Sequence, residues 1–330
     1  LLEYNEPAIQ RLDINEFPKG EVSRVWLHII NNGIGEPVRI PLFIARGLEE
    51  GPVFGVTSAL HGNELNGIAV VQQLFAEIRI EQLSGTLVGV LVANPPGLVR
   101  EQRNFNDGVD LNHVAPGNPR GNMSQLFMHR LIDRIIDRFD YLVDLHTASF
   151  GRVNTYYIRA DMNDKHSATM ARLQNPEIIL NNPPNDYTLR GHASSRGIHS
   201  ITPELQDPHQ FQHGVIGQCL TGLRNQLVYL EMLPGKLICP LEKTTLCDRS
   251  YWTFTDEGGF LRVFPILGQI VEQDEPIAEV RTVFGKVVKT FYAPERGIVI
   301  GKSTNPINQS GSRILHLGIN PREIECIVDA

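Results

Sequence analysis

The chain has 330 residues, 42% of them hydrophobic and 20% charged, enough for a sizeable buried core and for about two domains. Its 30 Lys+Arg against 37 Asp+Glu leave a formal charge of −7, so it lacks the basic surplus that neutralises phosphates, which argues against nucleic acid as a partner. No apolar run approaches the roughly 18 residues of a membrane span, the longest being Leu87 to Ala93, and the acidic beginning Leu1-Leu-Glu-Tyr-Asn-Glu6 has no basic signal-peptide region; the expected setting is cytoplasmic, without a membrane partner.

In chain order, apolar β-rich runs at Val22–Ile30, Val38–Ala45, Val53–Leu60, Thr86–Ala93, Tyr141–His146, Asn154–Arg159 and Gly197–Thr202 alternate with helical stretches. Glu64–Ile78 sets Leu65, Ile68, Ala69, Gln72, Leu74 and Phe75 near a 3.6-residue period, and Gln125–Arg138 does so with Leu126, Met128, Leu131, Ile132, Ile135 and Ile136. Both predict helices covering the sheet of an α/β domain. After Pro234 helical periodicity gives way to short Val/Ile/Phe runs punctuated by Gly258-Gly259, Gly268, Gly285, Gly297, Gly301 and Gly311, which predicts a small all-β module. The expected division is 1–233 and 234–330. The hairpins after Gly268 resemble the barrel-sandwich of biotinyl and lipoyl carriers, but neither carrier signature surrounds Lys286. Cys219, Cys239, Cys247 and Cys326 lie far apart without a C-x-x-C pair and are expected to be buried, reduced thiols.

The strongest local signal is Leu60-His61-Gly62-Asn63-Glu64, where an apolar run ends and a helical pattern begins, the place where functional groups collect in open α/β sheets. A second run, Tyr141-Leu-Val-Asp-Leu-His146, ends in another histidine, and strand alternation sets Leu142, Asp144 and His146 on one face. Two histidines and one carboxylate match the His₂Glu set of catalytic zinc sites. Read singly, His61 fits as a capping or core histidine and His146 as a satisfied strand end. His209-Gln-Phe-Gln-His213 has i,i+4 spacing but lacks the glutamate of the helical zinc-protease form, and reads as a loop entering a helix. No G-x-S-x-G elbow or Walker lysine occurs, and Gly33-Ile-Gly35 reads as a β-turn.

Five segments in order, His61-Gly-Asn-Glu64, Asn94-Pro95 leading to Arg103, Asp110-Leu-Asn112, Asp144-Leu-His146-Thr147, and Thr188-Leu-Arg190 through Arg196 to Thr202-Pro-Glu204, resemble the succinylglutamate desuccinylase/aspartoacylase family of zinc carboxypeptidase-like amidohydrolases. The resemblance spans most of the chain. It implies a mixed sheet flanked by helices with a small C-terminal barrel-sandwich-like β domain, and zinc held by His61, Glu64 and His146. Glu204 would then be general base and later acid, Arg103 would hold the scissile carbonyl, and Asn112, His113, Arg190 and Arg196 would face the substrate, a small N-acyl amino acid or amine.

Two departures stand out. His113 follows Asn112 where the family often has arginine, so the fork for a substrate carboxylate must come from elsewhere, with Arg190 and Arg196 as candidates. Gln206 stands where a glycine commonly follows the catalytic glutamate. The alternatives are a zinc carboxypeptidase acting on peptide C-termini and a non-catalytic scaffold; self-association is left open.

Overall fold

The structure, a computed structural model, describes residues 6–184 and 187–326. Eleven strands form one twisted mixed sheet, of which the first five are β1 (Ala8–Ile9), β2 (Glu21–Asn31), β3 (Pro37–Arg46), β4 (Glu49–Ser58) and β5 (Ser84–Val90). β6 (Tyr141–Leu145) follows, while β7 (Arg152–Asn154) leaves the sheet, which β8 (Tyr156–Ala160), β9 (Ile178–Asn181), β10 (His199–Leu205) and β11 (Lys243–Cys247) continue. The chain then makes β12 (Arg249–Phe254), β13 (Gly259–Val263), β14 (Ile270–Val271), β15 (Pro276–Arg281), β16 (Val287–Tyr292), β17 (Gly297–Ser303), β18 (Ile307–Asn308) and β19 (Arg313–Ile319), and returns to the large sheet with β20 (Arg322–Glu325). The large sheet runs β1-β2-β3-β5-β4-β6-β10-β8-β9-β11-β20. Its middle strands β5, β4, β6 and β10 are parallel, and β8 is antiparallel to β10.

Helices cover both faces: α1 (Asn66–Glu77), α2 (Pro95–Val99), α3 (Met123–Arg134), α4 (Lys165–Leu173), α5 (Leu189–Ser195) and α6 (His213–Tyr229). One core packs α1, α4 and α6 on the sheet through Val70, Leu74, Met170, Ile216 and Leu223; the other packs α3 and α5 through Phe127, Leu131, Leu189 and Ala193. α3 starts on a capping box in which Asn122 and Gln125 satisfy each other's backbone N–H. The two periodic stretches read in the sequence are α1 and α3, although Gln72 is exposed. α6 is masked in the sequence by Gly214, Gly217 and Gly222, and Gly222 is needed because a Cβ there would lie 2.1 Å from Gln174 Oε1.

The last ninety residues build two further antiparallel sheets, β12-β19-β17-β14 and β16-β15-β13-β18, over their own core of Val271, Val280, Val299 and Leu317. β7, from the earlier part of the chain, pairs with β17. The expectation of four reduced thiols is corrected at two positions: Cys239 and Cys326, 87 residues apart, form a disulfide with Cα atoms 6.3 Å apart. The antiparallel pairing of β11 with β20 brings them together, which spacing in the sequence cannot display. Cys219 and Cys247 are free and buried. Among the described residues no helix is long and apolar enough to cross a membrane.

Candidate metal centre and cleft

The centre lies where the parallel strands β4, β6 and β10 end together, the edge at which open α/β sheets expose their ligand-binding groups. β4 ends at Ser58 and delivers His61 and Glu64 from the turn before α1; β6 delivers Asp144 and His146; β10 carries Glu204, bridged to His146. Gly62 makes the turn feasible, since a Cβ there would lie 1.9 Å from the Gly97 carbonyl carbon. Buried His61, Glu64 and His146 offer ligand atoms that all lie within 4.8 Å of one another. His61 Nδ1 is 2.9 Å from Glu64 Oε1, and His146 Nδ1 is 3.0 Å from Glu64 Oε2 and 3.1 Å from His61 Nδ1.

The opposite ring nitrogens fix the tautomers. His61 Nε2 donates to Asp110 Oδ1 at 3.0 Å and His146 Nε2 to Asp144 Oδ2 at 2.9 Å, because an ionised carboxylate can only accept. Both Nδ1 atoms therefore face each other and Glu64. Asp144, fully buried, also accepts from Thr57 Oγ1 at 2.5 Å. Burial alone would raise the carboxyls of Glu64, Asp110 and Asp144, but the facing histidines, with Arg103 beside Asp110, outweigh it and hold all three below the ordinary carboxylate range. Burial opposes charge on His146 too, yet Asp144 and Glu64 hold its pKa well above the usual imidazole value. A divalent cation taken up on the Nδ1 side would displace the His146 proton, and around two neutral imidazoles the three carboxylates and one guanidinium would leave two negative charges for it to balance.

That donor set fits zinc. A tetrahedral site with bonds of about 2.0–2.1 Å separates its ligand atoms by about 3.3 Å, close to the separations here, and imidazole with carboxylate is a catalytic zinc ligand set. Carboxylates behind both rings are the usual outer support of such sites.

A cleft of about 210 Å³ opens over this group, lined also by Arg103, Asn112, His113, Arg159, Arg190 and Glu204. Arg103 Nη1 bonds Glu64 Oε1 at 3.0 Å and Ser149 Oγ at 2.5 Å, and its Nε bonds Asp110 Oδ2 at 2.8 Å, so the guanidinium is fixed with a third of its side chain exposed. Asn112 Oδ1 accepts from the Leu189 N–H at 2.8 Å and so ties the α5 segment to the site. Arg190 is buried and clamped on Asn182 by bonds of 3.1 and 2.9 Å. His113 stands at the rim, 68% exposed, 3.9 Å from Asp110. Arg196 is not brought to this cleft: it caps the far end of α5 and lines a separate cavity with Asp137, Asp140 and His199. The helix between Arg190 and Arg196 carries them to opposite ends of the sheet. Gln206 adopts φ +57°, in the left-handed region that glycine enters without steric cost.

Sequence reasoning passed over Arg159, whose Nε lies 3.4 Å from Glu204 Oε1 and whose Nη2 donates to the Tyr157 hydroxyl at 2.8 Å. A lone charge in the apolar run Tyr156–Ala160 was the available signal.

Residues 50–230 match the sequence profile described as the succinylglutamate desuccinylase/aspartoacylase catalytic domain. An N-alpha-acetyl-L-2,4-diaminobutyric acid deacetylase from Halomonas elongata is 31% identical over 255 residues, 74% of either chain. The product-bound ectoine utilization protein EutE (DoeB) from Ruegeria pomeroyi superposes with a TM-score of 0.82 at 20% identity, over 91% of this chain and 95% of that one. A succinylglutamate desuccinylase/aspartoacylase from Rhodobacter sphaeroides gives 0.82 at 19% identity, over 90% and 94%. At such identities the two structures speak for the fold.

Proposed function

The chain belongs to the succinylglutamate desuccinylase/aspartoacylase family, whose members hydrolyse amide bonds, and from that premise we propose that it is a zinc-dependent deacylase of small N-acyl amino acids. The observation that carries the reading is the convergence of His61 Nδ1, His146 Nδ1 and Glu64, each supported from behind, beside Glu204. Zinc held by those three residues would lower the pKa of water at the open position to roughly 7 and polarise the scissile carbonyl.

The chain's own groups divide the remaining work. Glu204 takes the proton of the attacking water and returns it to the leaving amine, a task its 13% side-chain exposure at the cleft permits. Arg103, fixed by Glu64 and Asp110, presents a permanent positive charge where the carbonyl oxygen becomes anionic. Arg190 and Arg159 supply the guanidinium charge that His113 does not, so a substrate carboxylate has partners without an arginine at 113. The small cleft favours a compact substrate over a peptide. The Halomonas relative is named for an N-acetylated diamino acid, which makes that class the first to try.

The test is a panel of N-acetyl diamino acids, other N-acyl amino acids and short peptides, incubated with zinc-loaded protein and assayed for free amine. Release from the N-acyl amino acids supports the proposal. Release from peptide C-termini alone would replace it with the carboxypeptidase reading.

A further inference from the structure

A second charged cavity lies outside the metal centre. It measures about 400 Å³ and sits between the 149–152 loop and the C-terminal sheets, with Arg152 and Arg313 in its wall. The two guanidiniums come from distant parts of the chain, Arg152 from β7 and Arg313 from β19, and both lie against the ring of Trp252, at 5.8 and 5.5 Å from its centroid. Among the described residues neither is paired with a carboxylate. Two guanidiniums set against one ring without a carboxylate in direct contact repel each other, the more so for half-buried Arg152. The cost is visible in the surroundings: burial first, then Arg313 and Arg103, depress the pKa of Arg152. Buried His316, stacked on Trp252, is kept neutral by burial and then by Arg159, Arg152 and Arg313.

The cavity's other walls define the anion. Phe150, Phe254 and Ile307 line it and are 77%, 53% and 71% exposed, so it offers apolar surface beside the charges. Two guanidiniums held by one aromatic plane suit a planar carboxylate better than a point anion. Ser149, which bonds Glu64 and Arg103, is three residues from Arg152, and Arg152 feels the charges of Glu204 and Glu64. Arg152 thus lies within electrostatic reach of the metal centre, although the two cavities share no lining residue.

We propose that Arg152 and Arg313, both stacked on Trp252, form in this cavity an outer binding site for a small organic carboxylate with an apolar body. The natural source of that carboxylate, an arriving substrate or a released acyl acid, rests on the deacylase reading; the binding itself does not.

Trp26 and Trp252 are the two tryptophans, so Trp26→Phe leaves Trp252 as the reporter. Titration of that variant with hexanoate should change its fluorescence saturably, hexanamide and equal chloride should not, and Arg313→Gln should weaken hexanoate about tenfold. Arg313 is exposed, so its replacement leaves the fold intact. A response shared by hexanamide, or one unaltered by Arg313→Gln, overturns the site even if the deacylase is active. With a turnover assay in hand, a raised KM for N-acyl amino acids but not for their carboxamides in Arg313→Gln identifies the substrate as the source; weaker inhibition by free acyl acid alone identifies the product.

Discussion

Gly62→Ala tests whether packing, rather than ligand identity alone, builds the metal centre. The added Cβ would sit 1.9 Å from the Gly97 carbonyl carbon and 2.2 Å from Gly97 O and Leu98 N, where carbon contacts normally lie at about 3.5–4.0 Å. One segment must retreat by roughly 1.5–2 Å. The α2 side resists, because Asn94 both bonds the Leu60 carbonyl at 3.2 Å and accepts the Gly97 N–H at 2.9 Å. Overpacking of this kind costs about 1–3 kcal/mol, a fall in Tm of roughly 2–6 °C. The turn that moves also carries His61 and Glu64, and ligand distances tolerate only about 0.2 Å, so zinc affinity should fall at least about tenfold. Differential scanning calorimetry and zinc titration against a competing chelator read the two effects. Gly214→Ala, with nothing within 4 Å of its added carbon and a helical position, serves as the neutral control. A Gly62→Ala protein that melts and binds zinc like the parent would refute the reasoning.

Three further outcomes follow from named groups. Glu204→Gln should keep zinc and fold while kcat drops about 10²–10⁴-fold, since an amide cannot take the water's proton; near-normal turnover would place the base elsewhere. His113→Arg adds a guanidinium at the cleft rim and should lower KM severalfold for N-acyl amino acids with a free carboxylate; an unchanged KM for every substrate would remove position 113 from recognition. Thiol titration should find none reactive in the native protein, where burial pushes Cys219 and Cys247 up to about 12, two after denaturation, and four after reduction. Four thiols in the denatured, unreduced protein would contradict the Cys239–Cys326 pairing.

The middle of the sheet was legible because its parallel strands are continuous apolar runs, and β4 and β6 are each followed within three residues by a histidine, His61 and His146. Alternation along β6 set Asp144 and His146 on one face, and they are hydrogen bonded. What escaped depends on distance in space. Asp110 reaches His61 across 49 residues, and Arg159 meets Glu204 only because β8 runs antiparallel to β10. Arg196 looked equivalent to Arg190 six residues earlier, yet a single short helix separates them by the depth of the sheet. The C-terminal module was visible as β-rich, while the return of β20 to the large sheet, and with it the disulfide, has no local signature.

The proposed site of one zinc ion is His61, Glu64 and His146. Metal analysis of the protein and of His146→Ala, after equilibration with zinc and removal of loose metal, addresses it directly. One zinc per chain is expected in the parent and less than a tenth of that in His146→Ala, with Glu204→Gln retaining the full complement. Equal zinc in the parent and His146→Ala would contradict it.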